Sequence, residues 1–150
     1  GMLFTGQNRK AGEFGHMVLI PGGKKCYCGK KGCADAYCAA SVLTQSGKEK
    51  LEDFMKSIDI DKKAGQIWQT YLENLAILVS NLRMSFDTDI ILGGDVGGYL
   101  PGHMVELGQK IFKYNLFDGD LSYLKNCSYQ KEASAVGVAK QFFRKFIETV

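Results

Sequence analysis

Apolar residues recur at helical spacing through much of the chain. In the middle they repeat at intervals of three and four, which predicts one long helix after an N-cap at Asp61. The core face of this helix consists of Trp68, Tyr71, Leu72, Leu75, Val79, Leu82 and Phe86. Further helices are predicted over residues 34–47, 51–58 and 101–114 and from Glu132 onward, the last with Val136, Ala139, Phe143 and Phe146 on one face.

Short apolar runs between the helices predict strands. Residues 89–92 precede Gly93-Gly94 and suit a buried strand that enters a tight loop, while residues 121–124 alternate weakly. Near the N-terminus, residues 3–6 and 17–20 suggest a hairpin-like element. Because helices alternate with strands, we predict an α/β layer with parallel strands.

Length and composition restrict the class of protein. A chain of 150 residues suffices for one domain, and its 45% hydrophobic and 23% charged residues argue against disorder. No run approaches the roughly 18 apolar residues of a membrane span, and the N-terminus lacks a signal-peptide pattern. We therefore expect a soluble, cytoplasmic protein made of a single domain over residues 1–150.

The cysteines add candidate metal chemistry. Of five cysteines, Cys26, Cys28 and Cys33 are closely spaced and follow His16, so that one imidazole and three thiols match a structural zinc site in a loop over residues 16–33. Glycines inside this loop allow the chain to fold back around an ion. The alternative is three reduced cysteines in a surface loop. The remaining two, Cys38 and Cys127, are predicted to be small buried hydrophobic residues.

The net charge of +3 does not define a nucleic-acid-binding protein. Residues 1–35 carry six basic and two acidic side chains, a local charge of 6 − 2 = +4, around the cysteines. A nucleic-acid-binding zinc ribbon is disfavoured because there is one cysteine cluster and no interleaved recognition helix. A solvated basic loop is the favoured interpretation, and no DNA-binding motif is predicted.

Two neighbouring passages carry a family resemblance. Residues 11–17, Ala-Gly-Glu-Phe-Gly-His-Met, and residues 26–35, Cys-Tyr-Cys-Gly-Lys-Lys-Gly-Cys-Ala-Asp, resemble the signature of the ROK family of bacterial sugar kinases and sugar-responsive repressors. A weaker similarity continues through residues 90–94 and 133–137. The resemblance implies the C-terminal half of such a protein, with a partial actin-like, ribonuclease H-like fold.

The resemblance also implies roles for individual residues. Glu13, His16 and Asp35 would contact a sugar, and His16 would bind zinc as well. Carboxylates accept hydrogen bonds from hydroxyl groups, and an imidazole with one nitrogen on zinc can donate from the other. Family members usually carry Glu at the position of Asp35, so this carboxylate is set back by about 1.5 Å.

A second loop is similar to a nucleotide-contacting loop of the family. Gly93 and Gly94 follow a predicted strand, and glycine lets backbone N–H groups approach phosphate. Asp95 comes next, and its charge disfavours a nearby phosphate. The Asn-Asp pair and the Asp-x-Gly-Gly type loop that the resemblance implies for kinases have no equivalent here. We therefore expect no productive ATP binding by this chain.

Three functions follow from these features. The leading hypothesis is a zinc-stabilised, sugar-recognising module of a truncated ROK transcriptional regulator, binding a hexose or N-acetylhexosamine without catalysis. The alternative is the C-terminal half of an ATP-dependent sugar kinase, of glucokinase or N-acetylmannosamine kinase type, that needs a separate N-terminal half. The third hypothesis is an evolutionary remnant or an assembly module whose zinc is purely structural. A homodimer is predicted because a truncated sheet leaves an edge and an apolar face uncovered.

Overall fold

The structure is a computed structural model that describes residues 3–45, 47–129 and 132–148. Seven α-helices are described: α1 Asp35–Cys38, α2 Ala40–Leu43, α3 Leu51–Ser57, α4 Lys62–Phe86, α5 Gly94–Gly97, α6 Met104–Ile111 and α7 Ala133–Glu148. Two strands, β1 Ile90–Leu92 and β2 Leu124–Asn126, and two 3₁₀ turns, Phe14–His16 and Leu100–His103, complete the described elements.

Helix α4 forms as the sequence predicts. The Asp61 carboxylate accepts a hydrogen bond from the backbone N–H of Lys63 at 2.8 Å, which satisfies a free donor of the first turn. The helix ends after Phe86, where Asp87 has a left-handed backbone with φ 43°. The predicted apolar face is buried from Trp68 to Val79.

The end of that face departs from the prediction. Phe86 is half exposed, at 51%, rather than part of the core. Its ring instead lies 5.2 Å from the ring of Phe14, in the 3₁₀ turn that ends with His16. The last aromatic residue of α4 therefore packs against the N-terminal segment and not against the core.

The core surrounds α4. This helix packs against α6 most extensively and also against α1, α2, α3 and β1. The buried cluster consists of Leu43, Phe54, Ala64, Trp68, Tyr71, Leu72, Leu75, Ala76, Val79, Leu92, Val96, Leu100, Leu107, Ile111, Tyr123 and Leu124. One helix therefore supports both the N-terminal segments and the strands.

The strands pair in parallel, as predicted, with Ile90 opposite Leu124 and Leu92 opposite Asn126. The second strand begins at Leu124, so the prediction over residues 121–124 was three residues early. The first strand was predicted to be buried, but Ile91 is 64% exposed. Alternate residues of a strand point to opposite faces, and α4 covers one face of β1, where Leu92 is buried.

Two predictions for the N-terminal third were wrong in part. The single helix over residues 34–47 is interrupted at Ala39, whose extended backbone (φ −76°, ψ 153°) separates α1 from α2. The predicted hairpin does not pair residues 3–6 with 17–20. Val18 bridges Cys33 instead, because the backbone groups of residues 17–20 bond to the cysteine loop.

Helix α7 matches its prediction in position but not in burial. Phe143 and Phe146 are each 68% exposed, and Val136 is half-buried. The helix pairs that pack extensively on one another, within the described ranges, do not include α7. Its apolar face is therefore not part of the core that the described residues form. Among the described residues, no helix is both long and apolar enough to span a bilayer.

Replacement of Leu72 tests whether α4 anchors the core. Leu72 is fully buried, so Leu72→Ala should lower the free energy of unfolding by about 2–5 kcal/mol through lost burial and a residual cavity. Val105→Ala removes a side chain that is 80% exposed and should change it by less than about 0.5 kcal/mol. Chemical denaturation of both variants measures the difference. Equal values for the two would contradict the proposed core.

Candidate functional site

The cysteine loop is held by backbone hydrogen bonds. Lys25 and Lys31 form an antiparallel bridge, and the N–H of Cys26 donates to the carbonyl of Lys30 at 2.8 Å. At its base Gly32 has φ +86°, and a Cβ at this position would overlap the carbonyl oxygen of Ile20. Only glycine satisfies both conditions, so the loop closes because Gly32 carries no side chain.

The loop brings four predicted metal ligands together. The imidazole of His16 and the thiols of Cys26, Cys28 and Cys33 place their ligand atoms within 4.8 Å of one another. The Sγ atoms of Cys28 and Cys33 lie 3.7 Å apart, and Cys26 Sγ lies 3.9 Å from His16 Nδ1. A tetrahedral Zn²⁺ site with ordinary bond lengths requires about 3.8 Å between two sulfurs and about 3.5 Å between sulfur and nitrogen. The donor set and its spacing therefore fit zinc.

The thiols differ in environment. Cys26 and Cys33 are buried, whereas Cys28 is exposed. Burial raises the pKa of the Cys33 thiol to about 11, while a hydrogen bond from the backbone of Lys30 lowers the pKa of Cys28. Without a cation the cluster resists full ionisation, and a bound metal would reverse that preference by stabilising all three thiolates.

Asp35 lies beside the cluster at the start of α1. Its Oδ2 is 4.0 Å from His16 Nδ1 and its side chain is one-third exposed. A Cβ at Gly15 would overlap the Asp35 carboxylate, so the glycine before His16 makes room for it. Gly15 was not among the predicted site residues. The one indication of its role in the sequence was its position directly before His16.

Glu13, the remaining residue predicted to contact a sugar, lies at the surface. It is exposed and directly precedes the 3₁₀ turn that contains His16.

The outer imidazole nitrogen of His16, Nε2, faces the hydroxyl of Tyr27 at 3.2 Å. A hydrogen bond to Asp35 raises the pKa of the Tyr27 phenol. Tyr27 was not predicted, and its position between two cysteine ligands was the only signal.

The loop after β1 lies close to Asp35. A cavity of about 250 Å³ is bordered by Gly15, Asp35, Cys38 and Gly93 together with apolar residues. Gly93 precedes α5, and Gly94 begins it with φ +73° and open space around its Cα. The structure therefore brings one of the two predicted nucleotide-loop glycines to the cavity that Asp35 borders.

Asp35 also borders a second cavity. It has a volume of about 480 Å³ and is bordered by Lys24, Lys25, Cys26, Tyr27 and Asp35, among others. Its walls carry two lysines, whereas the smaller cavity has mainly apolar walls. Asp35 thus reaches an open basic pocket and a smaller apolar one.

Comparison with known proteins identifies the family. Residues 1–144 match the sequence model of the ROK family. The chain belongs to the ROK family. An N-acetylmannosamine kinase of Vibrio cholerae serotype O1 is 31% identical over 110 residues, which cover 67% of this chain and 38% of that protein. One from Salmonella arizonae is 26% identical over 149 residues, covering 93% of this chain and 49% of that protein.

A solved structure confirms the predicted fold. The ROK hexokinase from Thermus thermophilus superposes with a TM-score of 0.79 at 25% identity and covers 94% of this chain and 50% of that one. The predicted α/β, partial actin-like fold is thereby confirmed. The chain spans half or less of the length of these relatives. All of them are sugar kinases, so they favour the kinase alternative over the regulator hypothesis.

The different thiol environments predict an order of alkylation in metal-free protein. Thiolate is the reactive form, so at pH 8 the exposed Cys28 should react first. Cys33 should react slowly, as should Cys38, whose pKa burial raises to about 12. Both should react faster as the pH rises toward those values. Timed iodoacetamide labelling and peptide mass spectrometry measure the order, and early labelling of Cys33 or Cys38 would contradict it.

Proposed function

We propose that this chain is the sugar-binding part of an ATP-dependent ROK sugar kinase that acts on N-acetylmannosamine or a related hexose. The observation that carries the proposal is the cluster of four candidate metal ligands with Asp35 4.0 Å from one of them, His16, in a chain whose named relatives are sugar kinases. Phosphorylation is a property of the whole enzyme, since the chain spans half or less of those relatives.

Zinc is proposed as the metal, in a structural role. His16, Cys26, Cys28 and Cys33 would hold it, and four protein ligands complete a tetrahedral shell. With no position left for a substrate oxygen, the ion would supply cross-linking of the loop rather than Lewis-acid chemistry. Three thiolates and one Zn²⁺ carry a net −1, and the four lysines at positions 24, 25, 30 and 31 lie in the same loop to offset it.

Sugar recognition is assigned to the acidic residues beside this centre. The Asp35 and Glu13 carboxylates can each accept hydrogen bonds from sugar hydroxyls. Asp35 borders both cavities, and Glu13 is exposed at the start of the turn that leads to His16. The Phe14–Phe86 ring contact and the metal ligands would hold this turn from two sides, which restricts where both carboxylates can point.

Phosphoryl transfer is assigned to the complete protein. Gly93 borders the same cavity as Asp35, which supports a nucleotide-loop role for Gly93 and Gly94 next to the sugar. The expectation that this chain alone does not bind ATP productively stays a prediction. So do the homodimer and the cytoplasmic location. The exposed side chains of Ile91 and Phe143 are apolar surface that the complete protein would cover.

Metal analysis tests the zinc site. Protein purified without added metal should contain close to one zinc per chain. Cys33→Ser should lower the zinc content and the free energy of unfolding, because structural zinc binding is coupled to folding. Cys127→Ser is the matched control, since Cys127 is not one of the four clustered ligands, and should retain the zinc. Iron in place of zinc, or equal zinc in both variants, would contradict the site.

Calorimetry with N-acetylmannosamine tests sugar recognition. The zinc-loaded chain should bind the sugar in the millimolar range or tighter. Asp35→Asn should weaken binding by about tenfold or more, because hydrogen bonds to a charged acceptor contribute about 1.5–3 kcal/mol. Asp89→Asn removes an exposed carboxylate that pairs with Lys125 and should leave the affinity unchanged.

The outcomes of this titration separate two failures. If the wild type binds no sugar at millimolar concentration, the zinc centre in this chain is purely structural. If Asp35→Asn binds as tightly as Asp89→Asn, the sugar is recognised by other residues and the role of Asp35 is wrong.

A further inference from the structure

Phe14 is the first residue of the 3₁₀ turn that carries the proposed sugar contacts. Glu13 directly precedes it, and His16 ends the turn. The backbone N–H of His16 donates to the carbonyl of Glu13 at 3.0 Å, and that of Met17 donates to the carbonyl of Phe14 at 3.1 Å. A single short turn of this kind has little stability of its own, so its direction depends on what its side chains contact.

The turn is contacted from two directions. At its far end, His16 belongs to the cluster of candidate metal ligands. At its start, the ring of Phe14 lies 5.2 Å from the ring of Phe86, measured between centroids, at an interplanar angle of 59°. A bound metal would hold His16, whereas Glu13 is adjacent to Phe14. The ring contact is therefore the nearer constraint on the Glu13 carboxylate.

Phe86 is a fixed point because the end of α4 is tied to the rest of the domain. One turn earlier, the Arg83 guanidinium donates to both carboxylate oxygens of Asp118, at 2.8 and 3.1 Å. It also lies over the ring of Tyr123, 4.5 Å from the centroid, and pairs with Asp87 at 3.0 Å. A bidentate contact of this kind fixes the orientation of a guanidinium. The helix end that carries Phe86 is therefore anchored without the metal.

We propose that Phe86 is a positioning residue of the sugar site, whose ring holds Phe14 and thereby directs the Glu13 carboxylate. The inference rests on the sugar site of the proposed function and adds to it a residue from the far end of α4. Without the ring contact, the sugar would have to order the turn when it binds, and such ordering lowers affinity. Loss of an aromatic pair corresponds to an affinity change of about two- to tenfold.

The test compares zinc-loaded wild type, Phe86→Ala and Phe86→Tyr by calorimetry with N-acetylmannosamine. Phe86→Ala removes the ring and should weaken sugar binding by about two- to tenfold. Phe86→Tyr keeps the ring at a position that is 51% exposed, and it should bind the sugar as tightly as the wild type. Zinc content should be the same in all three proteins, because none of the four candidate ligands is changed.

Amide hydrogen exchange measures the turn itself, without sugar. In zinc-loaded Phe86→Ala, the amides of His16 and Met17, which close the turn, should exchange faster than in the wild type. The amide of Cys26 donates to the carbonyl of Lys30 inside the cysteine loop, and its exchange should be unchanged. This difference would locate the effect in the turn rather than in the whole site.

Met84→Ala is the matched control. Met84 lies near the same end of α4 and is 52% exposed, nearly as much as Phe86. Residues two apart on a helix point in different directions, and Met84 borders a surface cavity with Asn115 and Asp118. Its replacement removes apolar surface from the helix end and keeps both rings. Sugar affinity and exchange of the turn amides should match those of the wild type.

The possible results distinguish this inference from the sugar site itself. A wild type that binds no sugar would overturn the proposed sugar site and this inference together. If the wild type binds but Phe86→Ala binds as tightly as Met84→Ala, the role of Phe86 is wrong and the sugar site stands. Weak binding by Phe86→Tyr, or unchanged exchange of the turn amides in Phe86→Ala, would also overturn it, because the ring then does not hold the turn.

Discussion

Burial of the apolar face of α4 is the constraint on which the rest of the structure depends. The elements of the described chain are short apart from α4 and α7, and a helix or strand of three or four residues has little stability of its own. They are ordered because Trp68, Leu72 and Val79 give them a common surface to cover. The Tyr71 hydroxyl also donates to the carbonyl of Cys38 at 2.9 Å, which fixes α1 and the start of the site to this helix.

The site is assembled from two kinds of constraint. Inside the loop, glycine turns and backbone bridges bring the thiols together over a short stretch of chain. Outside it, contacts with α4 orient the segment that carries Glu13 and His16, through the pair of rings at Phe14 and Phe86. A metal would join these two parts, because His16 comes from the first segment and the cysteines from the second. With a metal bound, the ordering of the loop and the positions of the four side chains that hold the metal would depend on each other.

The parts of the fold that could be predicted are those with local causes. The helical spacing of apolar residues and the N-cap at Asp61 identify α4. The spacing of the cysteines identifies the candidate metal cluster, because few residues separate its members. Predictions that needed a distant partner were less accurate. The break at Ala39, the pairing of Val18 with Cys33 and the exposure of Ile91 all depend on what packs against each residue. Apolar spacing also predicted a core face on α7, which no extensive packing covers in the described chain.

The sequence by itself determined the family, the long helix and the cluster of one histidine and three cysteines, since each is encoded by residue type and spacing along a short segment. Only the tertiary structure decided which nitrogen of His16 faces the thiols, that Tyr27 occupies the other, and that Asp35 and Gly93 border one cavity. These are relations between segments that are not adjacent or between opposite sides of one ring. Spacing along the chain carries no information about them, because they arise only when backbone hydrogen bonds and packing on α4 bring the segments together.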